Sequence, residues 1–128
     1  MTSNMEREAA ELVNKARARE GLSPLRLDER LSNIARHKSQ DMKDRQYFSH
    51  DSPVYGSPFE MLTSFGVHYR RAGENIAKGQ QTADRVVNAW LKSPGHRDNI
   101  LDPTFNKIGM GLVWDKQGNS YWTQLFVN

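Results

Sequence analysis

The apolar residues of this chain change their spacing from one end to the other, and that change limits the folds it can adopt. Over residues 4–20 they recur three and four positions apart, as on one face of an amphipathic helix. Residues 108–114 alternate with a period of two, and turn-forming residues 115–119 separate them from a return strand over residues 121–127. A helix at the start and a hairpin at the end predict an α+β fold in which helices cover an antiparallel sheet.

Cap residues predict where the helices between these two ends begin. Asp28 precedes an amphipathic segment that we expect to end before Tyr47, and residues 47–55 predict a loop. Three later helices are predicted to begin at Ser57, Thr82 and Ser93. Residues 67–79 mix β-forming residues with glycine and predict a strand broken by a turn.

Two glycines mark one face of the first hairpin strand. Gly109 and Gly111 are two positions apart, so they point to the same side of the sheet. Neither carries a side chain, and we therefore expect another backbone or a helix to approach closely there.

The chain has 128 residues and no cysteine. This length suits a single domain, predicted to span residues 1–128, which buries enough surface to fold without disulfides. The absence of cysteine excludes a disulfide framework, a thiolate zinc site and a cysteine nucleophile.

Charge and hydropathy exclude two classes of partner. The net charge is +3, and the basic residues are interspersed with acidic ones, so nucleic acid is not an expected partner. No run approaches the roughly 18 apolar residues of a membrane span. Residues 1–14 lack the pattern of a signal peptide, which leaves open a cytosolic protein or the mature part of an exported one.

Three polar residues are candidates for chemistry. His50 and His96 lie in segments rich in serine, proline, glycine and aspartate, where polar groups are held at a surface. Glu74 follows Gly73 at the start of an apolar strand segment, where a carboxylate can act as a general base, a support for a metal ligand or a hydrogen-bond acceptor. His50, Glu74 and His96 are therefore candidate catalytic residues, with the two histidines as candidate metal ligands. The sequence contains no P-loop, GxSxG or HExxH motif.

Four motifs in order resemble one protein family over nearly the whole chain. They are Phe48-Ser49-His50, Gly73-Glu74-Asn75-Ile76-Ala77, the run from Trp90 to Leu101 that includes Ser93-Pro94-Gly95-His96, and Tyr121-Trp122-Thr123-Gln124. Together they closely resemble bacterial members of the CAP superfamily, named for cysteine-rich secretory proteins, antigen 5 and pathogenesis-related proteins, and also called SCP-like.

The resemblance implies a three-layer α-β-α sandwich with a central antiparallel sheet, in a secreted or cell-surface protein. It also implies a cavity that two histidines and two acidic residues line in other branches, some of which bind zinc. His50 and Glu74 match the first histidine and the first glutamate, whereas Ser93 and Tyr121 stand where the second pair would be. His96 belongs to the bacterial pattern and is expected to supply an imidazole to the same cavity. We expect Tyr121, Asn99 and Ser93 to line it.

The resemblance favours an extracellular module whose His/Glu-lined cavity binds a cell-wall, lipid or protein partner. The alternative is a metal-dependent hydrolase or protease that uses Glu74 as general base. Zinc is the cofactor that the resemblance leaves open, with His50 and His96 as its ligands. Because a fold by itself does not supply a reaction, the sequence does not decide whether the protein is an enzyme.

Overall fold

The computed structural model describes residues 2–128, so position 1 of the predicted domain lies outside the described residues. Within these residues, five helices and four strands follow one another. They are α1 (Asn4–Arg19), β1 (Arg26–Leu27), α2 (Glu29–Arg45), α3 (Pro58–Ser64), β2 (Ala72–Lys78), α4 (Ala83–Lys92), α5 (Pro94–Ile100), β3 (Lys107–Trp114) and β4 (Ser120–Val127). None of the helices in residues 2–128 combines the length and the apolar character that a bilayer crossing requires.

The four strands form one sheet in the order β1-β3-β4-β2. Strand β4 is central and buried along its whole length, and it pairs antiparallel with both β3 and β2. The two-residue strand β1 pairs parallel with Lys107 and Ile108 of β3, so the complete sheet is mixed. The predicted α+β class is confirmed, and the three long strands are antiparallel as expected.

Helices cover both faces of this sheet and make a sandwich. On one face, side chains of α1 and α4 pack against β3 and β4 in a core that includes Val13, Val86, Trp90, Met110 and Trp122. On the other face, α2 and α3 pack against β4 in a second core that includes Leu31, Ile34, Ala35, Leu62 and Leu125. The alternation of side chains along β4 supplies both cores at once.

Helix α2 lies directly on the glycine face of β3. A methyl group on Gly109 would overlap the backbone of Leu31, and one on Gly111 would overlap the backbone of Ala35. The close approach predicted from these two glycines is therefore confirmed.

Local capping explains most of the helix starts. The side chains of Asp28, Ser57 and Thr82 each accept a hydrogen bond from the third backbone amide of the helix they begin. The cap prediction at Ser93 is right in position, because α5 begins at Pro94, but the Ser93 side chain makes no capping hydrogen bond.

Candidate functional site

Helix α2 anchors the loop that carries His50. The Lys38 ammonium donates a hydrogen bond to the His50 carbonyl oxygen at 2.9 Å. Asp41 accepts hydrogen bonds from Ser52 Oγ at 2.6 Å, from the Tyr47 hydroxyl and from Arg45 Nε at 2.7 Å. Both α2 side chains are buried, so the loop is tied at its start, middle and end to a rigid helix.

His50 and Glu74 form a direct hydrogen-bonded pair. His50 Nδ1 lies 2.7 Å from Glu74 Oε1. The Glu74 side chain is 1% exposed and the His50 side chain is 51% exposed, so the pair joins the interior to the surface. The second carboxylate oxygen, Oε2, is buried and has no hydrogen-bond partner within residues 2–128.

The surroundings of this pair shift both of its pKa values upward. Burial raises the pKa of the Glu74 carboxyl, and the hydrogen bond from His50 and the charge of Lys38 oppose that shift. The hydrogen bond to Glu74 raises the pKa of the His50 imidazole, and partial burial opposes it. The hydrogen bond thus favours the charged form of each group, an imidazolium beside a carboxylate, and burial opposes it in both.

His96 is coupled to this pair through charge. Burial, followed by the positive charge of His50, lowers the pKa of the His96 imidazole. His96 lies in the first turn of α5. Asn75 Nδ2 holds the backbone there by donating to the His96 carbonyl oxygen at 3.1 Å. The structure thus joins His50 and Glu74 directly by a hydrogen bond, whereas His50 affects His96 only through its charge.

A chain of amides, two of them buried and that of Asn99 partly buried, supports Glu74 and His96. Asn99 Nδ2 donates to the Glu74 carbonyl oxygen at 3.2 Å and to Asn75 Oδ1 at 2.9 Å. Asn75 Nδ2 also donates to Gln124 Oε1 at 2.9 Å. Asn99, which was predicted to line the cavity, therefore lies behind Glu74 and links α5 to β2.

Two clefts border the loop that carries His50. The wider cleft holds about 460 Å³ and is lined by Lys43, Gln46, Tyr47, Phe48, Lys78, Asp115, Gln117 and Tyr121. The narrower cleft holds about 250 Å³ and is lined by Phe48, Ile76, Ala77, Lys78, Gln80, Ala89, Trp90, Ser93 and His96. Because Phe48 and Lys78 line both, we treat the clefts as one groove. Tyr121 thus lies on the wider cleft, and Ser93 and His96 lie on the narrower one.

The groove crosses the edge of the sheet. Strand β2 is an edge strand, and Glu74 is paired with Leu125 on the face covered by α2. Asn75 and Ala77 point to the opposite face, toward α4 and α5. The clefts therefore lie on the two sides of β2, with Phe48 and Lys78 between them.

Sequence reasoning missed Lys38 as a site residue. Lys38 is 1% exposed, and its ammonium lies 5.1 Å from the centre of the Tyr47 ring. A signal was available, because Lys38 lies midway between Ile34 and Met42 at four-residue spacing on the buried side of α2. A lysine at such a position must find carboxylate or carbonyl partners in the interior.

The side chains around His50 do not fit a strongly held zinc ion. A catalytic zinc site needs three protein ligands and a structural site needs four. Within residues 2–128, no three His, Asp or Glu side chains are arranged to hold a metal ion together. Serine and tyrosine occupy the two positions where the family resemblance places the remaining ligands.

Comparison with known proteins identifies relatives along nearly the whole chain. The family model described as "CAP: Cysteine-rich secretory protein family" matches residues 10–126. The chain is 56% identical over 125 residues to the protein YkwD of Bacillus subtilis (strain 168), a match that covers 98% of this chain and 48% of YkwD.

Two solved structures share the fold. An extracellular protein containing an SCP domain from Bacillus anthracis str. Ames superposes with a TM-score of 0.88 at 37% identity, over 96% of this chain and 40% of that one. An outer surface protein of Borrelia burgdorferi superposes with a TM-score of 0.90 at 22% identity, over 100% of this chain and 95% of that one. This chain thus spans less than half the length of the two Bacillus proteins that it matches.

Proposed function

The chain belongs to the CAP (cysteine-rich secretory protein) family, and from this membership we propose that it is an extracellular module that binds a cell-wall glycan along the groove beside His50 and Glu74. The related Bacillus anthracis protein, 37% identical to this chain, is described as extracellular. That relationship supports the same location here.

The observation that carries the proposal is the exposed ring of Phe48 at the junction of the two clefts. Phe48 is 50% exposed although it lies against both cavities. An apolar ring at that position offers a flat surface to a sugar ring, and the amides of Gln46, Gln80 and Gln117 offer donors and acceptors to its hydroxyl groups.

The lining of the wider cleft favours a glycan over a lipid. Lysine, glutamine, aspartate and tyrosine surround the wider cleft. An acyl chain bound there would leave these polar groups without water or hydrogen-bond partners, which costs free energy.

The test compares two phenylalanines of equal exposure. Phe48→Ala is expected to weaken binding to peptide-free glycan strands of bacterial cell wall about tenfold, since loss of a stacked ring costs on the order of 1.4 kcal/mol. Phe59→Ala is the control, because Phe59 is 49% exposed and lies outside the groove. Isothermal titration calorimetry measures both variants. Equal affinities for the two variants, or no binding by the wild-type protein, would contradict the proposal.

The environment of Glu74 favours hydrolysis as a second candidate function. Burial raises the pKa of Glu74 toward the value of a general base or acid, and Oε2 has no partner in residues 2–128. In that case, Glu74→Gln would abolish the release of new reducing ends from the same glycan strands while preserving binding. Absence of release by the wild-type protein would exclude this activity on that substrate.

A further inference from the structure

Resting on the glycan function, we propose that the wider cleft selects a sugar that carries a carboxylate, which Lys43 and Lys78 bind. The cleft holds about 460 Å³, enough for a substituted sugar ring. The two ammonium groups come from different elements, α2 and β2, and both line the same cavity.

The aromatic residues fix the position of Lys78. The Lys78 ammonium lies 5.1 Å from the centre of the Tyr121 ring, and Tyr121 is 5% exposed. Because the ring is held in the core with Met42 and Ile76, it provides a fixed surface against which the ammonium rests. A cation held in place loses less side-chain entropy when an anion binds than one that moves freely.

Lys43 supplies the second ammonium group, from the last turn of α2. Its ammonium lies 3.3 Å from Asp44 Oδ1, and the Asp44 side chain is 56% exposed. An ion pair so open to solvent is weak. An incoming carboxylate can therefore replace Asp44 as the partner of Lys43.

Asp115 also lines the cleft, but its carboxylate is engaged in hydrogen bonds within its own turn. Oδ1 accepts hydrogen bonds from the backbone amides of Gln117 at 2.9 Å and Asn119 at 2.8 Å. Oδ2 accepts one from Asn119 Nδ2 at 3.0 Å. Among the residues that line the cleft, two lysines face this one carboxylate, and Asp44 outside the lining pairs with Lys43 only as an exposed ion pair. Ammonium groups bind a carboxylate more strongly than they bind the neutral amide made from it.

The experiment uses one glycan in two forms. Peptide-free strands of bacterial peptidoglycan carry a lactyl carboxylate on alternate sugars, and carbodiimide coupling with ammonia converts these groups to neutral amides. We expect the wild-type protein to bind the acidic strands about fivefold more tightly than the amidated ones, and added salt to reduce this difference.

The variant that removes both charges is Lys43→Gln/Lys78→Gln. It should bind acidic strands as weakly as amidated ones and leave the affinity for amidated strands nearly unchanged. The control Arg7→Gln/Lys15→Gln removes the same charge from exposed positions of α1 and should retain the preference. Thermal unfolding of both variants verifies that each is folded.

Three results would overturn the inference in distinguishable ways. Equal wild-type binding to both strand types would remove the carboxylate selectivity and leave the glycan function intact. A preference that survives in Lys43→Gln/Lys78→Gln would move the recognition away from this cleft. Absence of binding to either strand type would end both the inference and the glycan function.

Discussion

At the scale of single residues, His50 and Glu74 illustrate how burial on one side and solvent on the other set a protonation state. The carboxylate supplies the negative charge that favours a protonated imidazole, and burial keeps that charge from being screened. The Lys38 ammonium opposes the burial effect on Glu74, because its positive charge favours the ionised carboxylate. The state of the pair thus depends on three side chains from three different segments.

Removing the charge of Glu74 tests this dependence. Glu74→Gln should lower the pKa of His50, because the hydrogen bond to the carboxylate is the largest cause of its upward shift. Nitrogen-detected NMR titration of the imidazoles measures the change, with exposed His68 as a reference in the same spectra. An unchanged His50 titration with an intact fold would show that the pair does not control the imidazole.

The lowered pKa of Asp41 predicts that the free energy of unfolding falls in acid. Burial alone would raise the pKa of its carboxyl, but hydrogen bonds from Ser52, Tyr47 and Arg45 outweigh burial and hold that pKa below its usual value. Such a group stabilises the fold above an unfolded-state pKa of about 3.9, and this contribution disappears as the pH falls through the folded-state pKa.

Urea unfolding at neutral and acidic pH measures the contribution of Asp41. Asp41→Asn should lower the free energy of unfolding by about 1–3 kcal/mol at neutral pH and make it less sensitive to pH below about 4. The control Asp44→Asn alters a carboxylate that is 56% exposed, so its effect should be much smaller. If the free energy of unfolding changed with pH in the same way for wild type and Asp41→Asn, Asp41 would not be the source of the acid sensitivity.

At the scale of elements, helix α2 both packs on the sheet and holds the loop that carries His50. Ala35 sits against Gly111 and brings the helix onto the sheet, while Lys38 and Asp41 hold the loop that carries His50. The distance between α2 and the sheet therefore determines the position of His50 relative to Glu74 on β2.

A methyl group at Gly111 should push α2 away from the sheet. We expect Gly111→Ala to lower the free energy of unfolding by about 1–3 kcal/mol, the usual cost of overpacking a core. Gly95→Ala is the control, because a methyl group there meets nothing within 4 Å. Equilibrium urea denaturation compares the two variants. A Gly111→Ala midpoint as high as that of Gly95→Ala would show that the close packing is not required.

What the sequence predicts at this scale follows from how local each signal is. The starts of α2, α3 and α4 were predictable, since Asp28, Ser57 and Thr82 cap amides three residues away. Strand β1 was not predicted, because two residues become a strand through hydrogen bonds to the distant segment 106–108. The prediction of a strand broken by a turn over residues 67–79 was wrong, because the structure has one unbroken strand that begins at Ala72, where pairing with Val127 starts.

At the scale of the whole molecule, the groove exists because three layers meet at the open edge of β2. The loop after α2 and the edge strand meet there and join His50 to Glu74, while His96 at the start of α5 lines the narrower cleft. The residues themselves could be selected from the sequence by family resemblance. Their convergence could not be derived from spacing, because His50 and Glu74 are 24 positions apart and meet through the packing of α2 on the sheet.

The arrangement of His50 and Glu74 also predicts how the protein should respond to zinc. Glu74 Oε1 is engaged with His50 Nδ1, and within residues 2–128 no three acidic or imidazole side chains are arranged around a common point. We therefore expect less than stoichiometric zinc after the protein is equilibrated with excess metal and desalted, as measured by plasma mass spectrometry. His50→Ala should not change that content, because too few ligands converge to hold the ion. A full equivalent of zinc that is lost in His50→Ala, but retained in the control His68→Ala, would show instead that the side chains rearrange to complete a metal site.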